Sequence, residues 1–245
     1  MLNINPVAIV TGSSKGIGAA VAKQLAKDGF SVVINFASNE KNALDVVDEI
    51  KVLGGEAVAI QCDVSKPHEV TQLFDRTEAM LGIPTVLVNS AGIMQLATVA
   101  ETSDELFDKV VAVNFKGTFN TLREAAKRMK NGGRIINFST SVIGVNLPTY
   151  SIYAASKAAV ETMTAILSKE MRGRAITVNT VAPGPTATKL FLDGKSDEQI
   201  EKLSKMNPLE RLAEPDDVAN TVSFLVSKEG GWINGQTLRV NGGMV

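Results

Sequence analysis

The sequence predicts an α/β fold: a doubly wound parallel sheet of seven strands with helices on both faces. Short, apolar, β-branched runs alternate along the chain with stretches of helical period. The first three runs are almost continuously apolar, as strands covered on both sides should be. At roughly 150 residues per domain, 245 residues suit one large domain better than two small ones.

The elements follow in order. Val7–Thr11 reads as a strand and Gly16–Gly29 as a helix; Ser31–Phe36 and Glu40–Leu53 repeat the unit, then Ala57–Gln61 and Lys66–Leu81. Thr85–Val88 is the fourth strand. It leads into one long helix over Ser103–Met129, with Leu106, Phe107, Val110, Val111, Phe115, Phe119 and Leu122 on one face. Arg134–Ser139, helix Ser151–Met171, Ala175–Val181, helix Glu214–Ser227 and Thr237–Val240 complete the series. Alternating elements imply right-handed crossovers, which place ligands beyond the carboxyl ends of the strands. The irregular stretch 184–208, at such an end, is a candidate substrate lid with a short polar helical segment inside it.

Composition narrows the function classes. Lys plus Arg number 25 against 26 for Asp plus Glu, so no basic field exists to attract nucleic acid. Cys62 is the one cysteine and His68 the one histidine, too few for a disulfide or the usual zinc ligand set. No apolar run is long enough to span a membrane, and the first residues lack the pattern of a secretory leader. A cytoplasmic enzyme or binding protein without a metal is the expectation.

The first chemical motif follows the first strand directly: Thr11-Gly12-Ser13-Ser14-Lys15-Gly16-Ile17-Gly18. Glycines allow a tight turn and a close backbone approach to phosphate, and a helix N-terminus offers N–H groups and a positive dipole end. Such a turn can also be merely structural; its place within a βαβ unit favours a dinucleotide. Together with Asn89-Ser90-Ala91-Gly92, Tyr153-x-x-x-Lys157 and Pro183-Gly184, this segment resembles the short-chain dehydrogenase/reductase family, over essentially the whole chain to Val240-Asn241-Gly242-Gly243. Ser139–Lys157 and Pro183–Lys195 look most like NADPH-dependent aldehyde reductases, with 3-oxoacyl-carrier-protein reductases nearest. The resemblance implies a Rossmann-type nicotinamide site.

An NAD site normally carries a carboxylate at the end of the second strand. Here Asn35 and Phe36 run into Ala37-Ser38-Asn39, which are neutral, and Lys15 can approach a phosphate from the glycine loop. NADPH is therefore expected over NADH. The resemblance further assigns Gly12, Ser14, Lys15, Gly16, Ile17 and Gly18 to the phosphates, and Asn35, Ala37 and Ser38 to the ribose end. It gives Asp63 and Val64 to the adenine, although Asp63 could instead cap the next helix. Asn89, Ala91 and Gly92 line the cofactor, and Pro183, Gly184, Thr186 and Thr188 the nicotinamide and pyrophosphate.

Tyr153 and Lys157 stand four residues apart in a helix-favouring run, on one face. A carbonyl that receives hydride needs a proton, and free tyrosine, with a pKa near 10, serves poorly in both directions. A neighbouring ammonium should lower that pKa. Counting back from Tyr153 by the family interval reaches Thr140, whereas the family's Ser-x-x-Gly pattern selects Ser141 with Gly144; Ser141 is taken as the hydroxyl that polarises the substrate. Asn114 matches the family's fourth catalytic member. The resemblance implies that it holds a water linking Lys157 to solvent, the alternative being an amide satisfied by backbone. Met94, Tyr150 and Leu190, with Ser141 and Tyr153, are expected around the substrate.

These residues point to an NADPH-dependent carbonyl reductase of small aldehydes or ketones. A 3-oxoacyl-carrier-protein reductase, docking its acidic carrier on Lys127, Arg128, Lys130, Arg172 and Arg174, is the alternative. A regulator that binds NADPH without turnover is more remote. The run Gly231–Val240 resembles the family's interface strand, so a homotetramer is expected.

Overall fold

The computed structural model describes residues 5–245. β1 (Val7–Thr11), α1 (Gly16–Lys27), β2 (Ser31–Phe36), α2 (Glu40–Val52), β3 (Glu56–Gln61) and α3 (Pro67–Met80) form the first half. β4 (Pro84–Asn89) leads into α4 (Asp104–Val110), a π-helical turn (Val111–Lys116) and α5 (Gly117–Arg128). Then come β5 (Arg134–Phe138), α6 (Val142–Val145), α7 (Ser151–Glu170) and β6 (Thr177–Pro183). α8 (Lys189–Leu192), α9 (Asp197–Ser204), α10 (Pro215–Val226) and β7 (Thr237–Val240) close the chain.

The seven strands make one sheet in the order β3-β2-β1-β4-β5-β6-β7, every pair parallel. β1, β2 and β6 are buried along their whole length, and β1 and β2 are accordingly apolar through their middles, whereas β3, expected to be covered on both sides, is the edge strand and exposes Glu56 and Gln61. Leu25, Val47, Ile50 and Val222 of α1, α2 and α10 cover one face. Leu73, Phe74, Leu122 and Leu167 of α3, α5 and α7 cover the other. The chain reverses its winding between β1 and β4, so the crevice for a ligand opens at their carboxyl ends.

A buried polar row crosses the sheet at those ends. Thr11, Asn89, Asn137 and Thr180 are paired in register on four neighbouring strands. Asn89 Nδ2 donates to Asn137 Oδ1 at 2.8 Å, and Asn137 Nδ2 to Thr164 Oγ1 of α7 at 2.8 Å. The Thr180 hydroxyl also donates to Thr164 Oγ1, and Thr121 of α5 donates to Asn89 Oδ1. Each amide thus has its partners despite burial.

Two sequence expectations are corrected here. Ser103–Met129 is not one continuous α-helix: the π-helical turn inserts at Asn114, an irregularity that leaves the apolar spacing almost untouched. Ala175 is not in a strand, because it turns the chain at φ 53° and β6 begins at Thr177.

Candidate active site

The glycine loop is held from behind. Asn35 Oδ1 accepts from Gly12 N at 3.1 Å, and its Nδ2 donates to the carbonyls of Ile60 and Cys62. Ser13, fully buried, donates its hydroxyl to Val10 O and accepts from Asn35 N. A Cβ on Gly12, at φ 62°, would lie 2.7 Å from Ala91 Cα, so only glycine lets this turn pack against the β4 loop. The turn delivers the chain to α1, whose N-terminus has no side-chain cap, unlike α2, capped by Asn39, or α9, with its Ser196–Gln199 box. Uncapped N–H groups behind a glycine turn, with Ser14 and Lys15 beside them, suit a pyrophosphate. Ala37, Ser38 and Lys15 are exposed, and no carboxylate occupies the end of β2.

Several residues assigned to the cofactor have other work. The Asn35 amide is spent inside the protein, so it shapes the loop rather than facing a ribose. The Asp63 carboxylate accepts from Ser65 N and Oγ, which makes it a turn-forming group ahead of α3. The Val64 side chain packs on Gly117 while its carbonyl accepts from Asn120 Nδ2. The Asn89 amide belongs to the buried row. Thr186 turns its hydroxyl back to Gly184 O. Thr188, by contrast, caps α8 and sets its methyl against the position of a Gly16 Cβ, bringing the lid segment to the phosphate loop.

The chemical centre forms where α7 passes β5 and the β4 loop. Lys157, 4% exposed, donates to Phe138 O at 2.9 Å. A Cβ on Gly92 would sit 3.3 Å from Asn114 Oδ1 and 3.4 Å from Lys157 Nζ, so glycine leaves this corner open. Asn114 is wholly buried. Its Oδ1 accepts from Ile93 N, and its Nδ2 donates to Ile93 O and to Ser156 Oγ at 3.2 Å. Its own carbonyl accepts from Thr118.

The Tyr153 hydroxyl lies close enough to Thr140 to be stabilised by it, Thr140 Oγ1 accepts from Val142 N at 3.3 Å, and the Tyr153 ring stands edge-on to Tyr150, centroids 6.3 Å apart at 67°. Burial pushes the Tyr153 phenol up to about 12, against a lowering by the Thr140 hydroxyl. Burial also lowers Lys157 to about 8. The expected lowering of Tyr153 by Lys157 is therefore not found: desolvation dominates, and the ammonium is turned to Phe138 O. Tyr153 is neutral over the physiological range, as a proton donor must be.

Ser141 does not reach this centre. It is 2% exposed, donates to Ala182 O at 2.9 Å and accepts from Asn241 Nδ2 at 3.0 Å. Thr140 is the hydroxyl at Tyr153. The family interval counted back from Tyr153 reaches Thr140, and the Ser-x-x-Gly pattern that favours Ser141 is the reading corrected here. Ser139 is tied to Glu161 at 2.6 Å. Tyr150 is half-buried beside Tyr153, Met94 lies in the loop joined to it by the Ala97–Thr149 backbone bond, and Leu190 is half exposed on α8.

Comparison with known proteins identifies the family. The family profile described as Enoyl-(Acyl carrier protein) reductase matches residues 12–245. A "Short-chain type dehydrogenase/reductase" of Picea abies is 48% identical, with 98% of this chain and 92% of that protein aligned. The chain is a short-chain dehydrogenase/reductase. A second relative of this oxidoreductase, "NADPH-dependent aldehyde reductase-like protein, chloroplastic" of Arabidopsis thaliana, is 47% identical over 98% of this chain and 94% of its own length. The solved short-chain dehydrogenase of Burkholderia cenocepacia J2315, in complex with NADP, superposes with a TM-score of 0.92 at 36% identity, covering 98% of this chain and 97% of that one. Among the described residues, no helix is long and apolar enough to cross a membrane.

Proposed function

We propose that this short-chain dehydrogenase/reductase reduces small aldehydes or ketones with NADPH. The observation that carries this is the partly exposed pair of Thr140 and Tyr153 with the buried Lys157 one helical turn on. NADPH, when bound, supplies the hydride to the carbonyl carbon. Thr140 and Tyr153 together direct two hydroxyls at the developing oxyanion, and Tyr153 Oη gives up its proton. Lys157, buried and held on Phe138 O, would bind the bound cofactor's ribose rather than the phenol.

The cofactor preference is supported by the neutral, exposed end of β2 and by Lys15 across from it, and the Arabidopsis relative is named for NADPH. Met94, Tyr150 and Leu190 give the substrate an apolar surround. α8 and α9 bury no residue of their own, which suits a lid that opens and closes over it. The carrier-protein alternative loses ground at its docking patch. Arg128 is held by Glu78 and Asp75, and Arg174 donates to the carbonyls of Ala126 and Met129.

The assembly proposed is a homotetramer. Phe119 of α5, Ile166 of α7 and Trp232, 98% exposed, are large apolar side chains left outside the core.

Oxidation of NADPH and of NADH is followed spectroscopically with a panel of aldehydes, ketones and acyl thioesters, with Tyr153→Phe in parallel. Turnover with NADPH on small carbonyls, lowered about 10²- to 10⁴-fold by that substitution, is expected. NADPH binding without turnover would make the chain a nucleotide-binding regulator instead. A preference for NADH would overturn the role given to Lys15 and Ser38.

A further inference from the structure

Ser141 and Asn241 are far apart in sequence, yet their side chains meet beneath the reacting centre without touching it. Asn241 is 8% exposed. Its Nδ2 donates to Ser141 Oγ at 3.0 Å, while its Oδ1 accepts from Gly243 N and Met244 N at 3.0 and 3.2 Å. Ser141 in turn donates its hydroxyl to Ala182 O and its N–H to Pro183 O, each at 2.9 Å. Gly184 N donates to Val240 O, and a Cβ on Gly184 would lie 2.9 Å from both Asn241 Cα and Cβ. Three segments are thus clasped at one point: the turn after β5, the Pro-Gly turn after β6 and the end of β7.

Thr140 is the residue immediately before this clasp. Ser139 N donates to Val181 O and Ser141 N to Pro183 O, so the backbone is pinned to β6 on either side of it. The second pin depends on Ser141 staying seated, and its hydroxyl is seated by Asn241.

We propose that Asn241 is a positioning residue, acting through Ser141 to hold the Thr140 hydroxyl at Tyr153. The proposal rests on the reading that Thr140 polarises the substrate carbonyl. Displacing a catalytic group by a fraction of its reach is costly to rate even when the displaced support is remote.

Asn241→Asp is close to isosteric. It keeps the acceptor for Gly243 N and Met244 N but replaces the donor to Ser141 with a second acceptor, so the Ser141 proton must abandon Ala182 O. Ser141→Ala removes the clasp without adding charge. With the full-length protein, each is expected to lower kcat for carbonyl reduction about ten- to a hundredfold with KM for NADPH unchanged. On a Thr140→Val background, neither is expected to cost anything further, because the group being positioned is gone. A purely structural role would instead cost the same in both backgrounds and lower the melting temperature in step with activity.

Equal costs in both backgrounds, or no cost in either, overturn the proposal. If Thr140→Val itself leaves kcat intact, the carbonyl-polarising reading has failed first. If Thr140→Val is impaired and the clasp variants are not, only the present inference falls. Should Asn241→Asp not fold, Ser141→Ala carries the same comparison.

Discussion

Lys157 is carried into the protein at a cost, because burial lowers its pKa from the ordinary 10.5 to about 8. Between those values the unfolded chain holds a proton that the folded chain has released. Stability therefore rises with pH through that window, and the whole penalty is present below pH 8. The shift corresponds to roughly 3 kcal/mol. Tyr153 acts oppositely: pushed up to about 12, it keeps its proton above pH 10 when the unfolded chain has lost it, so stability falls from there upward. Urea unfolding at a series of pH values is expected to show a rise from pH 8 towards 10 and a decline above it. Lys157→Met should flatten the rise; a rise that survives this substitution would place its origin elsewhere. Both residues stood out in the sequence because helical spacing puts them on one face and because Tyr153-x-x-x-Lys157 resembles the family motif. The choice between Thr140 and Ser141 was not settled by local periodicity: the interval from Tyr153 and the Ser-x-x-Gly pattern disagreed, and the pattern was the wrong guide.

At the scale of elements, the π-helical turn explains how Asn114 faces inward. The extra residue in the turn sets its amide against Ile93 and Ser156, joining the β4 loop to α7. Asn114→Ala leaves the Ile93 N–H and carbonyl without these partners, so a loss of about 1–3 kcal/mol is expected in chemical denaturation, together with reduced turnover. An unchanged denaturation midpoint would refute that coupling. Asn35 works similarly between β2 and the glycine loop, and Asn35→Leu is expected to raise KM for NADPH while leaving Tyr153 chemistry, read as kcat at saturating cofactor, nearly intact. A fall in kcat alone would show that Asn35 acts elsewhere. The helices and strands themselves were readable from period and β-branching, to within a few residues at their ends. The π-helical turn was hidden because Val110, Val111, Phe115 and Phe119 keep spacings that an α-helix also allows.

For the whole molecule, the apolar side chains left outside the two cores carry the next expectation. Ile166→Glu, on the exposed face of α7, should split a tetramer into smaller species by sedimentation velocity, leaving the monomer fold intact by circular dichroism. A wild-type monomer would remove the assembly altogether. The parallel sheet and the placing of ligands beyond the carboxyl ends of its strands followed from the alternation of elements and the handedness of crossovers, whereas the strand order was read only from the structure. What lay beyond sequence reasoning was long-range polar pairing, such as Ser141 with Asn241, because such contacts leave no mark at any local period.

The polar row through Asn89, Asn137 and Thr180 also bears on how the chain reaches its native pairing. β4, β5 and β6 are buried and parallel, and their aliphatic residues alone could align in more than one way. A slip of one residue turns each side chain to the opposite face. It would strand up to two amides and one hydroxyl among aliphatic groups, at about 1–3 kcal/mol for each unsatisfied group. The row thus works as a proofreading device: misaligned sheets are left unstable enough to come apart and pair again.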